Sequence, residues 1–273
     1  MTNSAFLAFR AATAPEVPGC FIANARPGQS VLVAVHGISR NAAEIAMRFA
    51  AHPDFAQTTI IAPVFDKAGF GQYQQLEARK AGQTRADTAL IALLDALAAS
   101  DDLPTAHISL FGFSGGAQMA HRFAMLHPDR VARLCVVSAG WYAMPDPAIA
   151  WPYGIGDGAG AALVGPEFFD IPSTVIVGNR DTRVDASVRQ DVQILEHQGR
   201  NRLRRARCYV RAAAAYAERM GTATRPQLLT LHGVSHDFTQ CVIEGDLITV
   251  AAPVLLDSNV SFNGPAGANH KRD

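Results

Sequence analysis

His107-Ile-Ser-Leu-Phe-Gly-Phe-Ser-Gly-Gly-Ala-Gln-Met-Ala-His-Arg-Phe-Ala-Met-Leu126 decides the reading of this chain. His107–Phe111 is a short apolar run of the kind that forms a strand buried on both faces. Gly116–Leu126 has helical character and stops near Pro128. Between them stands Gly112-Phe113-Ser114-Gly115-Gly116, a G-x-S-x-G match with no spacer on either side. A strand that turns straight into a helix thrusts the middle residue out on a tight corner. Gly112 and Gly116 lack the Cβ atoms that would clash where such a chain folds back.

Outward from this unit, apolar runs and helical stretches alternate. Val31–Val35, Thr58–Ala62, Val131–Val137, Ser173–Val177 and Gln227–Leu231 read as further strands, several ended by Gly or Pro. Asp87–Ala99 sets Leu90, Ile91, Leu94 and Leu97 on one helical stripe, and Ser187–His197 and Leu203–Met220 read as further helices. Parallel neighbours need crossover helices, so the alternation implies α/β architecture with a doubly wound, mostly parallel sheet. Ala5–Ala11 and Cys20–Ala25 suit an antiparallel hairpin at its edge. No fixed-period repeat is visible. Residues 141–172 break the alternation, are rich in Gly, Pro and aromatics, and read as a covering loop over the site. Residues 1–257 then form one domain and 258–273 a polar tail.

Composition limits the partners. The chain has 273 residues, 49% hydrophobic and 18% charged, with 24 basic and 24 acidic side chains. Zero net charge argues against a dedicated nucleic-acid binder. No run approaches the ~20 apolar residues that span a bilayer. The N-terminus lacks the pattern of a secretory signal, and Cys20, Cys135, Cys208 and Cys241 show neither C-x-x-C nor metal spacing. A cytoplasmic protein with free thiols is the expectation. Arg200, Arg202, Arg204, Arg205, Arg207 and Arg211 cluster near the start of one helix and read as a solvated face, with an electropositive rim or a phosphate site as alternatives. Gly154-Ile-Gly-Asp-Gly-Ala-Gly160 has no strand before it and reads as a loop.

From about Val31 to about Leu256 the chain resembles the α/β-hydrolase superfamily, on the strength of the strand, G-x-S-x-G turn and helix. The resemblance implies the chain order nucleophile, acid, histidine, and therefore a Ser114–Asp181–His236 triad. Asp181 follows the strand in Val175-Ile-Val-Gly-Asn-Arg-Asp181, with Asp185 as the runner-up. His236 follows a Gly233-Val-Ser235 turn, whereas His232 closes the strand and reads as a buried structural residue. The chemistry needs these types: a serine hydroxyl is a poor nucleophile until an imidazole accepts its proton, and a carboxylate fixes the imidazole's tautomer. Negative charge on the attacked oxygen needs two N–H donors. The resemblance assigns these to Gly115 and to Ile38 of the His36-Gly37 turn, with Ser39 one step away.

His36-Gly37-Ile38-Ser39-Arg40-Asn41 is similar to the HG-x-x-R/Q-N turn of the polyhydroxybutyrate-depolymerase-like and feruloyl-esterase-like branch, as is His236-Asp237-Phe238 to the surroundings of its histidine. Secreted members of that branch carry signals, extra cysteines and binding modules, and these are not seen here. Only 67 positions separate Ser114 from Asp181, too few for a large cap domain. Trp141, Tyr142 and Trp151, with Arg40, are the expected substrate-binding side chains, and for the aromatics of this segment simple cover of the sheet is the alternative. The expected function is a carboxylic-ester hydrolase acting on a small molecule without metal or organic cofactor. Thioesterase, acyltransferase or peptidase activity uses the same residues, and a binding protein on the same scaffold is the alternative from another class.

Overall fold

The computed structural model describes residues 7–256 except 79, 158, 160–162 and 223. Eight strands form one sheet: β1 (Leu7–Arg10), β2 (Cys20–Ala23), β3 (Ser30–Val35), β4 (Thr58–Pro63), β5 (Ile108–Phe113), β6 (Val131–Val137), β7 (Ser173–Gly178) and β8 (Gln227–Leu231). Their spatial order is β1-β2-β4-β3-β5-β6-β7-β8, with β3 to β8 all parallel and β1 and β2 antiparallel at one edge. The doubly wound, mostly parallel sheet and its edge hairpin are thus as expected. Ala5 and Phe6 of the expected hairpin, and the expected polar tail, lie outside the described residues.

The central strands read as unbroken apolar runs because both of their faces are covered. Val31, Val33 and Val35 of β3 face one core cluster, and Leu32 and Ala34 face the other. β6 divides in the same way, Leu134 and Val136 against Cys135 and Val137. The first cluster packs under α2 (Ala86–Asp101), α3 (Gly115–Leu126) and α5 (Arg202–Met220); the second packs under α1 (Ala42–Ala50), α6 (Phe238–Ile243) and α7 (Leu247–Leu255). α5 begins at Asn201, whose Oδ1 accepts the Arg204 N–H at 2.9 Å, and closes on Gly221 in the left-handed region. Among the described residues no helix is long and apolar enough to cross a membrane.

Three expectations need correction. The helix predicted over Ser187–His197 is only α4 (Val192–Gln198). Upstream, Gln190 Nε2 and Arg205 Nη2 take the Val188 and Arg189 carbonyls that a helix would need. The arginine cluster is not uniformly solvated: Arg202 and Arg205 are buried. Arg205 spends its guanidinium on the carbonyls of Gly199, Gly140 and Arg189, which ties α5 to the end of β6. The described residues of 141–172 pack sideways against α3 and α5, and Tyr142, Met144, Ile155, Phe168 and Phe169 join the first core cluster. Gly154 and Gly156 are closely apposed to the Ile149 and Pro147 carbonyls, so these two glycines serve loop packing.

Candidate active site

β5 leads into α3 through Ser114, which holds φ +56° and ψ −110°. That strained conformation costs about 1–3 kcal/mol and persists only where its surroundings over-determine it. Here the Ser114 N–H donates to the Val137 carbonyl at 2.8 Å, pinning the corner to β6. A Cβ on Gly112 would run into the Gly116 carbonyl, and one on Gly116 into the Val35 and His36 carbonyls. The two glycines let the strand, the helix and the end of β3 close on one another. Ser114 is left at the C-terminal end of the sheet, where the loops after β3, β7 and β8 converge.

Three side chains meet there. Ser114 Oγ donates to His236 Nε2 at 2.9 Å, and His236 Nδ1 donates to Asp181 Oδ2 at 2.9 Å. A carboxylate only accepts, so the Nδ1 hydrogen bond leaves the Nε2 lone pair facing the serine. The two loops are stitched together: the Asn179 and Arg180 N–H groups donate to the Leu231 and Val234 carbonyls, and Asn179 Oδ1 accepts the Gly233 N–H. Beyond Gly233, Gln240 Oε1 accepts both the N–H and the hydroxyl of Ser235. The imidazole stacks on Phe113 at a centroid distance of 5.4 Å.

The runners-up stand apart. Asp185 is exposed and accepts from Ser187 N and Oγ. His232 is exposed as well, which corrects its reading as a buried residue. His36, by contrast, is a buried histidine of structural type. Its Nε2 accepts the Phe65 N–H at 3.0 Å, so Nδ1 carries the proton and donates to the Gly37 carbonyl at 2.8 Å. Burial holds its pKa down to about 4, so it is a neutral strut for the turn.

Ile38 and Gly115 lie close to each other, at the turn after β3 and the start of α3. Among the described residues neither N–H donates to a protein acceptor, and the Ile38 nitrogen lies 3.4 Å from where a Gly115 Cβ would stand. The same Cβ would stand 2.7 Å from Tyr73 Oη, which donates to the His36 carbonyl at 2.9 Å. Tyr73 therefore braces the turn that presents Ile38. The cleft above Ser114 has a volume of about 370 Å3, with Ile38, Phe113 and Phe238 as apolar walls and Asn41, Glu44 and Thr239 as polar ones.

The expected substrate-binding aromatics are elsewhere. Trp141 is 2% exposed, carries the Arg122 guanidinium 4.0 Å from its ring and stacks on Tyr153. Tyr142 stacks on Tyr209 at 4.5 Å. Trp151 packs partly buried against the same core, and none of the three lines the cleft. These aromatics cover the sheet's flank because Arg122 and His121, both buried on α3, need covering partners there. Arg40 lines a neighbouring cavity.

Sequence reasoning missed Tyr73, Ser187 and Arg202. Arg202 Nη1 donates to the second oxygen of Asp181 at 3.4 Å, and its Nη2 to Ser187 Oγ at 2.9 Å. The arginine cluster was the available signal for this residue, but spacing alone does not say which member turns inward. Among the described residues no group of three or more His, Cys, Asp or Glu side chains is arranged to hold a metal ion.

The sheet order, the strained serine turn and the crossover helices define the α/β-hydrolase fold. Solved structures agree. A poly(aspartic acid) hydrolase-1 from Sphingomonas sp. KT-1 superposes with TM-score 0.72 at 20% identity, over 93% of this chain and 99% of that one. A poly(3-hydroxybutyrate) depolymerase from Bordetella parapertussis gives 0.70 at 22%, over 91% and 88%. An S-formylglutathione hydrolase from Agrobacterium tumefaciens gives 0.58 at 12%, over 91% and 94%. No protein-family model and no curated protein matches the sequence.

Proposed function

We propose that this chain is a serine hydrolase that cleaves carboxylic esters through an acyl-enzyme on Ser114. The observation that carries the reading is the continuous hydrogen-bonded line from Ser114 Oγ through His236 to Asp181. Ser114 Oγ attacks the acyl carbon while its proton passes to His236 Nε2. The carbonyl electron pair moves onto oxygen, where the Ile38 and Gly115 N–H groups stabilise it. Collapse expels the alcohol, which takes the proton from His236. Water then attacks the acyl-enzyme by the same route and releases the acid. Asp181 holds the imidazole and offsets its charge during both steps.

Two of the superposed structures are named as hydrolases and one as a depolymerase, which agrees with this reading. On it the partner is a small-molecule ester, and side chains and water do the chemistry. The buried free thiols Cys20, Cys135 and Cys241 agree with a cytoplasmic setting. The test is release of p-nitrophenol from p-nitrophenyl butyrate by the wild type and by Ser114→Ala. The expected result is a fall in kcat/KM of at least about 10^3-fold in the variant. An undiminished rate in Ser114→Ala refutes the assignment.

A further inference from the structure

Ile38 stands between two cavities. One is the cleft over Ser114; the other, about 410 Å3, is lined by Arg40, Lys67, Tyr73, Lys80 and Gln83 among others. Ile38 and Arg40 come from the loop after β3 and the other walls from the long connection between β4 and α2, whose described residues form no strand or α-helix. This second cavity carries three cationic side chains. Among the described residues no carboxylate forms an ion pair with Arg40, Lys67 or Lys80. Asp66, next to Lys67, turns its Oδ1 to the Ala68 and Gly69 N–H groups.

Arg40 is the fixed member of the set. Its Nε donates to the Phe65 carbonyl at 2.7 Å and its Nη1 to the Ile38 carbonyl at 3.1 Å. Its guanidinium carbon lies 5.6 Å from the centroid of the Tyr73 ring. The guanidinium is thereby held in place, its Nη2 without a partner among the described residues, while Lys67 and Lys80 are exposed and can adjust.

The chemistry at Ser114 gives the two cavities different roles. The leaving group must take its proton from His236 Nε2, so it sits on the side of His236, Asp237 and Thr239. The acyl chain departs from the same carbon in another direction. Ile38 is 54% exposed and shared by both cavities, so a chain that crosses it enters the cationic one. Tyr73, whose hydroxyl stands 2.7 Å from where a Gly115 Cβ would be, lines the cationic cavity beside Ile38.

We propose that the Arg40–Lys67–Lys80 cavity is the acyl-side subsite and that it selects acyl chains ending in a carboxylate. The proposal rests on the hydrolase reading above and adds the substrate class. It assigns Arg40 the substrate-binding role expected of it, from a position beyond Ile38 and with two lysines that the sequence alone does not single out. Three cations that line one cavity, with no carboxylate paired to them among the described residues, attract an anion at short range, and salt weakens the attraction.

The test compares the p-nitrophenyl monoesters of glutarate, adipate and suberate with the same compounds capped as methyl esters, which are neutral. The expected result is a kcat/KM about tenfold higher for the free carboxylate at its best chain length. The preference falls toward unity at 0.5 M NaCl and in Lys67→Gln/Lys80→Gln. Both lysines are exposed, so the double variant retains the fold. Equal turnover of charged and capped esters by the wild type, or a preference that survives the double substitution, overturns this proposal and leaves the hydrolase reading standing. No turnover of any ester, with Ser114 unreactive as well, overturns both.

Discussion

Replacing Arg202 with Met removes the cation that faces the inner oxygen of Asp181. Both side chains are withdrawn from solvent, with 3% and 0% of their surface exposed. At 3.4 Å and an effective dielectric of ~20, their direct attraction is about 5 kcal/mol before desolvation is subtracted. Breaking one side of a buried pair costs about 3–5 kcal/mol, because the remaining charge stays buried without its partner. Against a total stability of about 5–15 kcal/mol, that is a large fraction. The assay is urea unfolding at pH 7 followed by tryptophan fluorescence, run for the wild type, Arg202→Met, Asp181→Asn and the double variant. A neutral amide at position 181 needs no cation, so the double variant loses less stability than the two single losses added together, by at least about 1 kcal/mol. A cost below about 1 kcal/mol for Arg202→Met, or strict additivity in the cycle, refutes the reasoning.

Asp181→Asn lowers kcat/KM for p-nitrophenyl butyrate by about 10^3–10^4-fold, since an amide no longer dictates the imidazole tautomer. Asp185→Asn changes it by less than about threefold, and the reverse order identifies Asp185 as the acid. Stability falls between pH 7.5 and pH 4.5. Buried His36 and His121 titrate near 4 and 3 in the folded chain, against ~6.5 when unfolded, so the unfolded state binds more protons throughout this window. The contribution from His36 alone is about 2–3 kcal/mol by pH 4.5, measured as a drop in the urea midpoint; a flat profile contradicts it.

The parts of the site carried by contiguous sequence were legible from it. The Ser114 turn announces itself because strand, glycine pair and helix follow one another without a gap. Asp181 and His236 were singled out because the resemblance expects an acid and then a histidine in the loops after two later strands, and the parallel pairing of β7 and β8 brings those loops beside Ser114. Arg202 was not legible in the same way. Six arginines share one segment, and which of them turn inward depends on partners that arrive from elsewhere, Asp181 after β7 for Arg202 and the Gly140 carbonyl after β6 for Arg205. Trp141 and Tyr142 show the converse. Aromatic content signals burial, but the partner that decides where, Arg122 or Tyr209, sits on another helix. α7 also escaped notice, because Ile248, Val250 and Val254 suit a strand as readily as a helix buried against β5 and β6.

The central claim is that Ser114 is a nucleophile activated by His236. Its most direct test is incubation with a fluorophosphonate probe, followed by mass spectrometry of the proteolysed protein. The account predicts one stoichiometric phosphonyl adduct on the peptide bearing Ser114, formed far more slowly in His236→Ala and absent in Ser114→Ala. An unlabelled wild type, or an adduct on another serine that persists in Ser114→Ala, contradicts it.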